Sequence, residues 1–468
     1  MKHAMRILGF GIVGLLTLQA GEVYGGELTL ESLKAEMDQK IADMKAAHDK
    51  EVAGLKGQLR ELQQDKGHRD PMQAAKSQEG MVELFSDDGL VKAGNFRLGA
   101  YGEHKVIFPD DGPTNFDPHR VVLLPSYAFN DWIIFNAEIE FEHGGVDDTD
   151  GSQPDNTSRF SGEVEIEQAW IDFKLADYFN WRSLGVDLVP VGRINLYHEP
   201  ITFYSTERPE LYTNIIPSTW MENSSSIYGV ITDGLKYQVM VSQGLVDGTA
   251  ANLGVTGLTG LRNARPELRD DRSSSLATTM RLEFAPEFVP GLNGSASVHV
   301  SPDIQNPRTS DPGSSGVILS DVEFLYRPPG TGWEFRGDGA FIDIQGSEHL
   351  LANTDATANN GVGQNMWGIS GEVAYHFVPW KDGRLKEAEI VPFFRYSKID
   401  MQSGNIPLQG NGATAGANGQ GDQQFWTFGL AFFPIPNVVL KLDYRILRTE
   451  TQINPYSDRA EAAVGYVF

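Results

Sequence analysis

The chain has 468 residues, of which 38 are basic and 63 are acidic, and it contains no cysteine. A formal net charge of -25 argues against a nucleic-acid-binding protein, because binding to phosphates needs a net basic face. The lack of cysteine excludes disulfide frameworks, Cys-ligated metal clusters and thiol catalysis. No apolar run beyond the N-terminus is long enough for a transmembrane helix, which excludes a helical membrane protein.

The first segment, residues 1–20, has the pattern of a secretory signal peptide. Lys2 and Arg6 form a basic start, residues 7–18 are apolar, and Ala20 supplies the small residue typical of a cleavage site. The apolar run is too short to cross a bilayer. We therefore predict an exported protein; the alternative is a buried N-terminal helix.

Residues 28–66 are predicted to form a helical coiled-coil stalk in the periplasm. Apolar or semi-apolar positions recur in steps of three and four, so they form one narrow stripe on a charged helix. Such a stripe needs a partner, which is either another copy of the stalk or the body of the same chain. The stripe consists of Leu30, Leu33, Met37, Ile41, Met44, His48, Val52, Leu55, Leu59 and Leu62.

The residues that follow the stalk, 67–92, are predicted to be a linker.

The remaining segment, residues 93–468, is predicted to be an all-β, antiparallel transmembrane β-barrel of about sixteen strands. Its runs alternate apolar and polar side chains, as in Ile133-Ile134-Phe135-Asn136-Ala137-Glu138-Ile139-Glu140. A change of phase between Ile166 and Ala169 predicts a β-bulge near Glu167 or Gln168. The runs begin near residues 94, 119, 132, 162, 185, 225, 235, 275, 292, 317, 332, 366, 388, 423, 437 and 459.

Short and long connections alternate between these runs. Residues 130–131, 176–183 and 233–234 are predicted short turns, whereas 144–161 and 244–274 are long and rich in Gly, Asn, Asp and Ser. This alternation is typical of outer-membrane barrels, which have short periplasmic turns and long external loops. Alternation within the strands does not reveal which face points outward. The prediction of an outer-membrane barrel therefore depends on the loop lengths and the signal peptide.

The chain ends on an alternating run with aromatic residues at Tyr466 and Phe468. A terminal Phe after such a strand resembles the signal that the outer-membrane insertion machinery recognises. We therefore expect the barrel insertion machinery to be a partner. The alternative is a soluble core strand that happens to end on Phe.

Several segments resemble the phosphate-selective porin O/P family. They are Ala169-Trp170-Ile171-Asp172-Phe173-Lys174, Val191-Gly192-Arg193-Ile194, Glu199-Pro200, Glu207-Arg208-Pro209 and Ile216-Pro217-Ser218-Thr219-Trp220. The resemblance implies a sixteen-stranded, usually trimeric, outer-membrane channel whose third external loop, here residues 197–224, folds into the pore. The family's anion selectivity implies a cluster of Lys at the constriction. This loop instead contains one Arg and four Glu, so the candidate constriction residues are Glu199, Glu207, Arg208, Glu210 and Glu222.

The polar faces of the strands are predicted to line a water-filled lumen. Cations and anions nearly balance there, and the external loops are acidic, which predicts passive diffusion of ions and small hydrophilic solutes with weak or cation-leaning selectivity. The predicted lumen-lining charges are Arg97, Lys105, Glu138, Glu140, Arg193, Arg281, Glu283, Arg336, Arg395, Lys441, Asp443 and Arg445.

Other functions stay open at this point. They are a phosphate- or anion-selective porin, a barrel that holds an electron-transfer partner, and an outer-membrane hydrolase. His104, His119, His143 and His198 offer imidazoles, but no hydrolase motif accompanies them, and His198-Glu199 is the one pair considered as a metal or catalytic site. We predict a non-enzymatic protein with no cofactor, no metal and no catalytic residues. The predicted location is the outer membrane of a Gram-negative-type bacterium, with lipid around the barrel, a homotrimer, and periplasmic or cell-wall contact through the stalk.

Overall fold

Alternating side chains between residues 96 and 467 form sixteen antiparallel strands that close into a barrel within the described residues. The structure is a computed structural model. It describes residues 39, 91–144, 162–247, 254–266, 275–304, 313–350, 361–404, 406–407, 414–415, 419, 421–450 and 456–468. The predicted signal peptide, the stalk at 28–66 apart from Gln39, and the linker at 67–92 apart from its last two residues lie outside the described residues.

The barrel strands follow one another around the ring in chain order. They are β1 Phe96–Pro109, β2 Asn115–Ala128, β3 Ile133–Glu142, β4 Glu163–Ala176, β5 Phe179–Leu188, β6 Met221–Thr232, β7 Leu235–Gln243, β8 Leu276–Phe284, β9 Leu292–Ser301, β10 Gly316–Tyr326, β11 Trp333–Gln345, β12 Asn365–Tyr375, β13 Glu389–Ser403, β14 Asp422–Ile435, β15 Val438–Thr449 and β16 Tyr456–Val467.

The ring closes where β16 pairs with β1, with Gly465 opposite Glu103 and Ala463 opposite Lys105. The terminal Phe468 completes this seam, because its N–H donates to the Ala100 carbonyl and its carbonyl accepts from the Ala100 N–H, both at 2.8 Å. A closed ring leaves no strand edge to be satisfied by water. None of the helices in the described part of the chain is long and apolar enough to span a lipid bilayer.

The predicted sixteen strands are confirmed, but three of them begin four or more residues earlier than predicted. β2 begins at Asn115 rather than near 119. β5 begins at Phe179 rather than near 185, so the turn predicted over 176–183 consists of only two residues, and β6 begins at Met221 rather than near 225. The pairings of β5 with both neighbours shift register, so its inward and outward side chains do not alternate regularly.

The outer face of the barrel is apolar and exposed, whereas the inner face carries charge and is buried. On β10, Val322 is 63% exposed and Phe324 is 44% exposed, while their neighbours Asp321 and Glu323 are each 3% exposed. The same inversion recurs on β15, where Leu442 is 59% exposed between buried Lys441 and Asp443. A soluble barrel has the opposite arrangement.

The predicted bulge is confirmed and lies at Glu167. In the pairing of β3 with β4, Glu138 lies opposite Gln168 and Ile139 lies opposite Ile166, so Glu167 has no partner residue. The extra residue changes the phase of β4. As a result Glu167 points into the barrel and is fully buried, while Ile166 stays on the outer face.

Candidate functional site

The third long connection, residues 189–220, lies inside the barrel, and we call it the inner loop. It contains a helical turn at Arg193–Leu196 and a π-helical turn at Leu211–Ile215. None of its residues is exposed. Gly192 has a φ of 73°, and a Cβ there would lie 2.7 Å from the Tyr212 ring, so only glycine allows the two turns to pack this closely.

An apolar cluster anchors one side of the inner loop to the barrel wall. The two turns contribute Ile194, Leu211 and Ile215, all buried. Burial of these side chains against the wall favours the folded position of the loop by about 1.5–3 kcal/mol each. The wall positions that belong to this cluster are Val317, Leu319, Ala340, Ile342, Ile344, Met366, Ile399, Met401 and Phe425.

This inner apolar patch was missed in the sequence, where apolar strand faces were assigned to the outside and polar faces to the lumen. The signal was present in runs such as Val317-Ile318-Leu319 and Phe341-Ile342, where consecutive residues are apolar. A strand that is apolar on both faces is covered on both faces. The inner cover here is the inner loop.

Hydrogen bonds close the inner loop at its base. The Asn195 side chain donates to the Val189 carbonyl and accepts from the Trp220 N–H, each at 2.7 Å. The Tyr212 hydroxyl lies 2.6 Å from Glu323 and 2.8 Å from Asp338 on the wall. One side chain thus joins the two ends of the loop, and another fixes its π-helical turn to the strands.

The opposite side of the inner loop meets a basic stretch of wall. Glu207 lies 3.3 Å from Lys105, and Glu210 lies 3.5 Å from both Arg395 and Arg445. Backbone groups add to this contact, since Lys441 donates to the Ser205 carbonyl at 3.0 Å and the Thr206 N–H donates to Asp443 at 2.6 Å. The loop carboxylates therefore neutralise wall cations instead of facing open water.

The predicted constriction residues do not share one environment. Glu207 and Arg208 are half-buried, whereas Glu199 and Glu210 are buried in the loop. Glu222 is not a loop residue, because it is the second residue of β6 and its carboxylate accepts from the Trp220 indole N–H at 3.1 Å.

Of the twelve predicted lumen charges, nine are buried, and Arg97, Glu283 and Arg445 are half-buried. Arg193 comes from the inner loop and pairs with Asp338 of the wall at 3.5 Å, so it is not a strand residue as predicted. Further charged side chains that were not predicted are also buried on the strands, namely Arg120, Glu167, Asp172, Arg182, Glu372 and Glu461.

One part of the ring carries more acidic than basic side chains on its inner face, and we call it the acidic wall. Strands β3 to β6 supply Glu138, Glu140, Glu167, Asp172, Asp187 and Glu222 there, together with the buried cation Arg182. The strands from β11 round to β2 form a mixed wall, where the cations Arg336, Arg395, Lys441, Arg445, Arg459, Lys105 and Arg120 alternate with the buried anions Glu334, Glu372, Asp443, Glu461 and Glu103. Charges of both signs along the inner face order water and polar solutes.

The inner-loop carboxylates differ in their ionisation. Burial opposes ionisation of Glu210, but the charges of Arg395 and Arg445 outweigh it and hold the pKa of that carboxyl below 4.5. Burial likewise opposes ionisation of Glu207, and Lys105 lowers its pKa. For Glu199 burial prevails and raises the pKa. The loop carboxylates are therefore charged mainly where they contact Lys105, Arg395 and Arg445.

His198 does not pair with Glu199. Its Nε2 atom faces the carboxylates of Glu138 and Glu167 on the acidic wall, and burial lowers the pKa of the imidazole below 6.5. The Arg120 guanidinium passes behind it and donates to the His198 carbonyl at 2.6 Å.

Comparison with known proteins identifies one relative by sequence and solved structures with a similar fold. An uncharacterized protein of Aquifex aeolicus is 31% identical over 404 residues, which cover 85% of each chain. Among solved structures, OmpF of Salmonella typhi in complex with daunomycin has a TM-score of 0.50 and 14% identity, covering 80% of this chain and 97% of that one. The outer membrane channel DcaP of Acinetobacter baumannii has a TM-score of 0.48 and 10% identity, covering 81% and 99%.

No protein-family model matches the chain. At 14% identity the likeness to OmpF shows the barrel fold alone. The resemblance to the phosphate-selective porin O/P family stays a prediction.

Proposed function

This chain belongs to the same family as the uncharacterized Aquifex aeolicus protein, and we propose that it is a porin-like channel of the outer membrane. One observation carries the proposal: exposed apolar side chains surround a barrel whose charged side chains are buried inside. On a soluble monomer the largest exposed apolar patch is typically about 300–600 Å². A belt contributed by strands all around the ring far exceeds that area, and lipid is the solvent that suits it.

We further propose that the conducting path is narrow and runs along the half-buried side of the inner loop. Glu207, Arg208, Thr213, Asn214 and Thr219 are the only inner-loop residues among the described ones that are not fully buried. Because the loop and the wall pair most of their charges with each other, few charges remain to bind a permeating ion tightly. Small ions and small hydrophilic solutes fit such a path.

The proposed ion preference is weak and leans toward cations. Residues 189–220 contain three Glu, two Arg and no Lys, and strands β3 to β6 form an acidic wall. Phosphate selectivity is the alternative, and the cations of the mixed wall favour it. The pairing of Lys105 with Glu207 and of Arg395 with Glu210 argues against it, because these cations already have carboxylate partners.

Two other functions are less well supported. A barrel that holds an electron-transfer protein needs an empty lumen, whereas the inner loop fills part of this one. A hydrolase needs a nucleophile activated by a neighbouring base, and no hydrolase motif accompanies the histidines of this sequence. The homotrimer, the insertion-machinery contact through Tyr466 and Phe468, and the stalk in the periplasm are proposed as companions of the channel function.

Planar-bilayer recording on the full chain tests the proposal. We expect stepwise conductance. In a salt gradient, the sign of the reversal potential should correspond to a weak preference for cations. Glu207→Gln should shift that potential toward anions, whereas Glu287→Gln, an exposed turn residue, should leave it unchanged. Insertion without conductance would contradict the channel function. Hydrolytic activity would then support the hydrolase, and capture of a cytochrome would support the barrel that holds an electron-transfer partner. An opposite reversal potential would support the phosphate-selective reading.

A further inference from the structure

Three metal-ligating side chains meet where the inner loop touches the acidic wall. His198 comes from the loop, Glu138 from β3 and Glu167 from the bulge in β4. All three are buried, and one ligand atom of each lies within 4.8 Å of the other two. We call this group the loop–wall cluster.

The spacing of the loop–wall cluster suits a small divalent ion. His198 Nε2 lies 3.4 Å from Glu167 Oε2 and 3.8 Å from Glu138 Oε1. Zinc bonds of about 2.0–2.2 Å in tetrahedral geometry place neighbouring ligand atoms about 3.3–3.6 Å apart. The three side chains therefore need only small adjustments to hold such an ion.

The orientation of His198 directs its Nε2 atom at the two carboxylates. Its Nδ1 lies 3.0 Å from the Asn195 carbonyl, which can only accept, so Nδ1 carries a proton. Nε2 is left to face the carboxylate oxygens of Glu138 and Glu167. A metal-bound histidine commonly has this arrangement, with its second nitrogen donating to a backbone carbonyl.

Several atoms of the loop–wall cluster have no hydrogen-bond partner. They are Nε2 of His198 and both carboxylate oxygens of Glu167, and the two side chains are 3% and 0% exposed. A buried polar atom without a partner costs about 1–3 kcal/mol, and more if it is charged. A bound cation would satisfy all three atoms at once.

The nearby arginines contact other groups. Arg120 contacts Glu103 at 3.4 Å and Glu140 at 3.5 Å, and the Nη1 atom of Arg208 donates to Ser218. Within the described residues, no Lys or Arg forms an ion pair of 4 Å or less with Glu138 or Glu167, and His198 is the side chain that pairs with both.

Neighbouring groups hold the ligands in place. The Tyr101 hydroxyl donates to Glu138 Oε1 at 2.6 Å, and the Gln168 amide donates to the other oxygen of the same carboxylate. The bulge leaves Glu167 without a cross-strand partner and turns it inward beside Glu138. Such supporting hydrogen bonds are typical of metal sites.

We propose that Glu138, Glu167 and His198 bind a divalent transition-metal ion, for which Zn²⁺ is the probe, and that this ion fastens the inner loop to the acidic wall. The proposal does not depend on the channel function, because metal binding is measured without conductance. It differs from the sequence-based expectation of a metal-free protein.

A second cluster at the end of β2 is weaker and serves as a control. Asp117 lies 3.2 Å from His119 Nδ1 and 2.9 Å from His143 Nδ1, so its histidines already donate to its carboxylate. All three side chains are half-buried and accessible. Removing this cluster by His119→Gln and His143→Gln prevents it from adding metal to the measurement.

The test measures bound metal on the full chain in detergent, in that double-variant background. The protein is refolded or incubated with excess Zn²⁺, desalted and analysed by elemental mass spectrometry, and folding is verified by heat-modifiable migration. We expect about one equivalent of Zn²⁺ per chain, and its loss in His198→Gln and in Glu167→Gln. His104→Gln, the same change on the exposed outer face, should retain the full equivalent.

Two further readouts separate binding from a merely structural role. Tyr101→Phe should still bind Zn²⁺, but about tenfold more weakly, because it removes one supporting hydrogen bond. Zn²⁺ should raise the melting temperature of the parent protein and not that of Glu167→Gln. Absence of bound metal in the folded parent, or equal binding by the parent and both ligand variants, would overturn the proposal. If one ligand variant fails to fold, the other decides.

Discussion

A lysine placed on the outer face of the barrel should be costly if that face meets lipid. Leu442 is suited to this test, because it is 59% exposed and lies on the outer face beside Leu430 of β14 and Ala462 of β16. It is four residues from Val438, where β15 begins after a short turn. This is about 13 Å along the strand, or about 10 Å along the axis at a tilt of about 40°.

An apolar band about 25 Å tall therefore places Leu442 near the middle of the bilayer. Lysine at that depth costs about 2–4 kcal/mol, so the folding equilibrium constant of Leu442→Lys should fall by about 30- to 900-fold. The matched control is Phe288→Lys. Phe288 is 87% exposed but belongs to the turn after β8, outside the strands, and its substitution should cost about 0–1 kcal/mol.

The measurement is equilibrium unfolding by urea in phospholipid vesicles, followed by tryptophan fluorescence and by migration with and without heating. In water around a soluble barrel, both exposed side chains could become lysine at little cost. Equal destabilisation by the two substitutions, within about 0.5 kcal/mol, would refute the assignment of the outer face to lipid.

Three further predictions concern the inner loop and the terminus. Glu210→Ala should lower the free energy of unfolding by about 1–3 kcal/mol, measured by the same assay, because it removes the loop carboxylate that contacts Arg395 and Arg445 while Arg395 keeps Glu372 at 3.2 Å; a change below about 0.5 kcal/mol would contradict a stabilising role of Glu210. Since the pKa of Glu210 is lowered below 4.5 in the folded state, its stabilising contribution should be complete above about pH 5 and be lost as the pH falls through the folded pKa, and Glu210→Gln should flatten this part of the stability profile. Phe468→Ala should slow insertion in cells while leaving refolding into detergent intact, because the terminal backbone hydrogen bonds with Ala100 do not need the ring; equal insertion would dismiss a role for the ring as an assembly signal.

The barrel itself could be predicted from the sequence, because strand alternation and loop length are local properties. Each run of alternating residues, such as 133–140, specifies a strand and a pair of faces without knowledge of its neighbours. The bulge at Glu167 was predictable for the same reason, since it appears as a change of phase within one strand. The irregular β5 was placed incorrectly because its register depends on two partner strands.

The roles of individual charges could not be obtained in this way. The sequence identified Glu207 and Glu210 as constriction residues, but their partners Lys105 and Arg395 are about 100 and 185 residues away along the chain. The inner apolar patch under the inner loop was likewise assigned to the outer face, because an apolar side chain does not reveal whether lipid or protein covers it. Arg120 was omitted, although it is among the most completely buried charges of the barrel.

By itself the sequence determined that sixteen alternating strands exist, that long and short loops alternate between them, and where a β-bulge changes the phase of one strand. These features follow from the period of two along an extended chain. Only the tertiary structure decided that the apolar face is the outer one, that residues 189–220 turn inward, and that Glu138, Glu167 and His198 meet. The reason is physical: contacts across a barrel depend on closure and register, which arise only when all strands are paired.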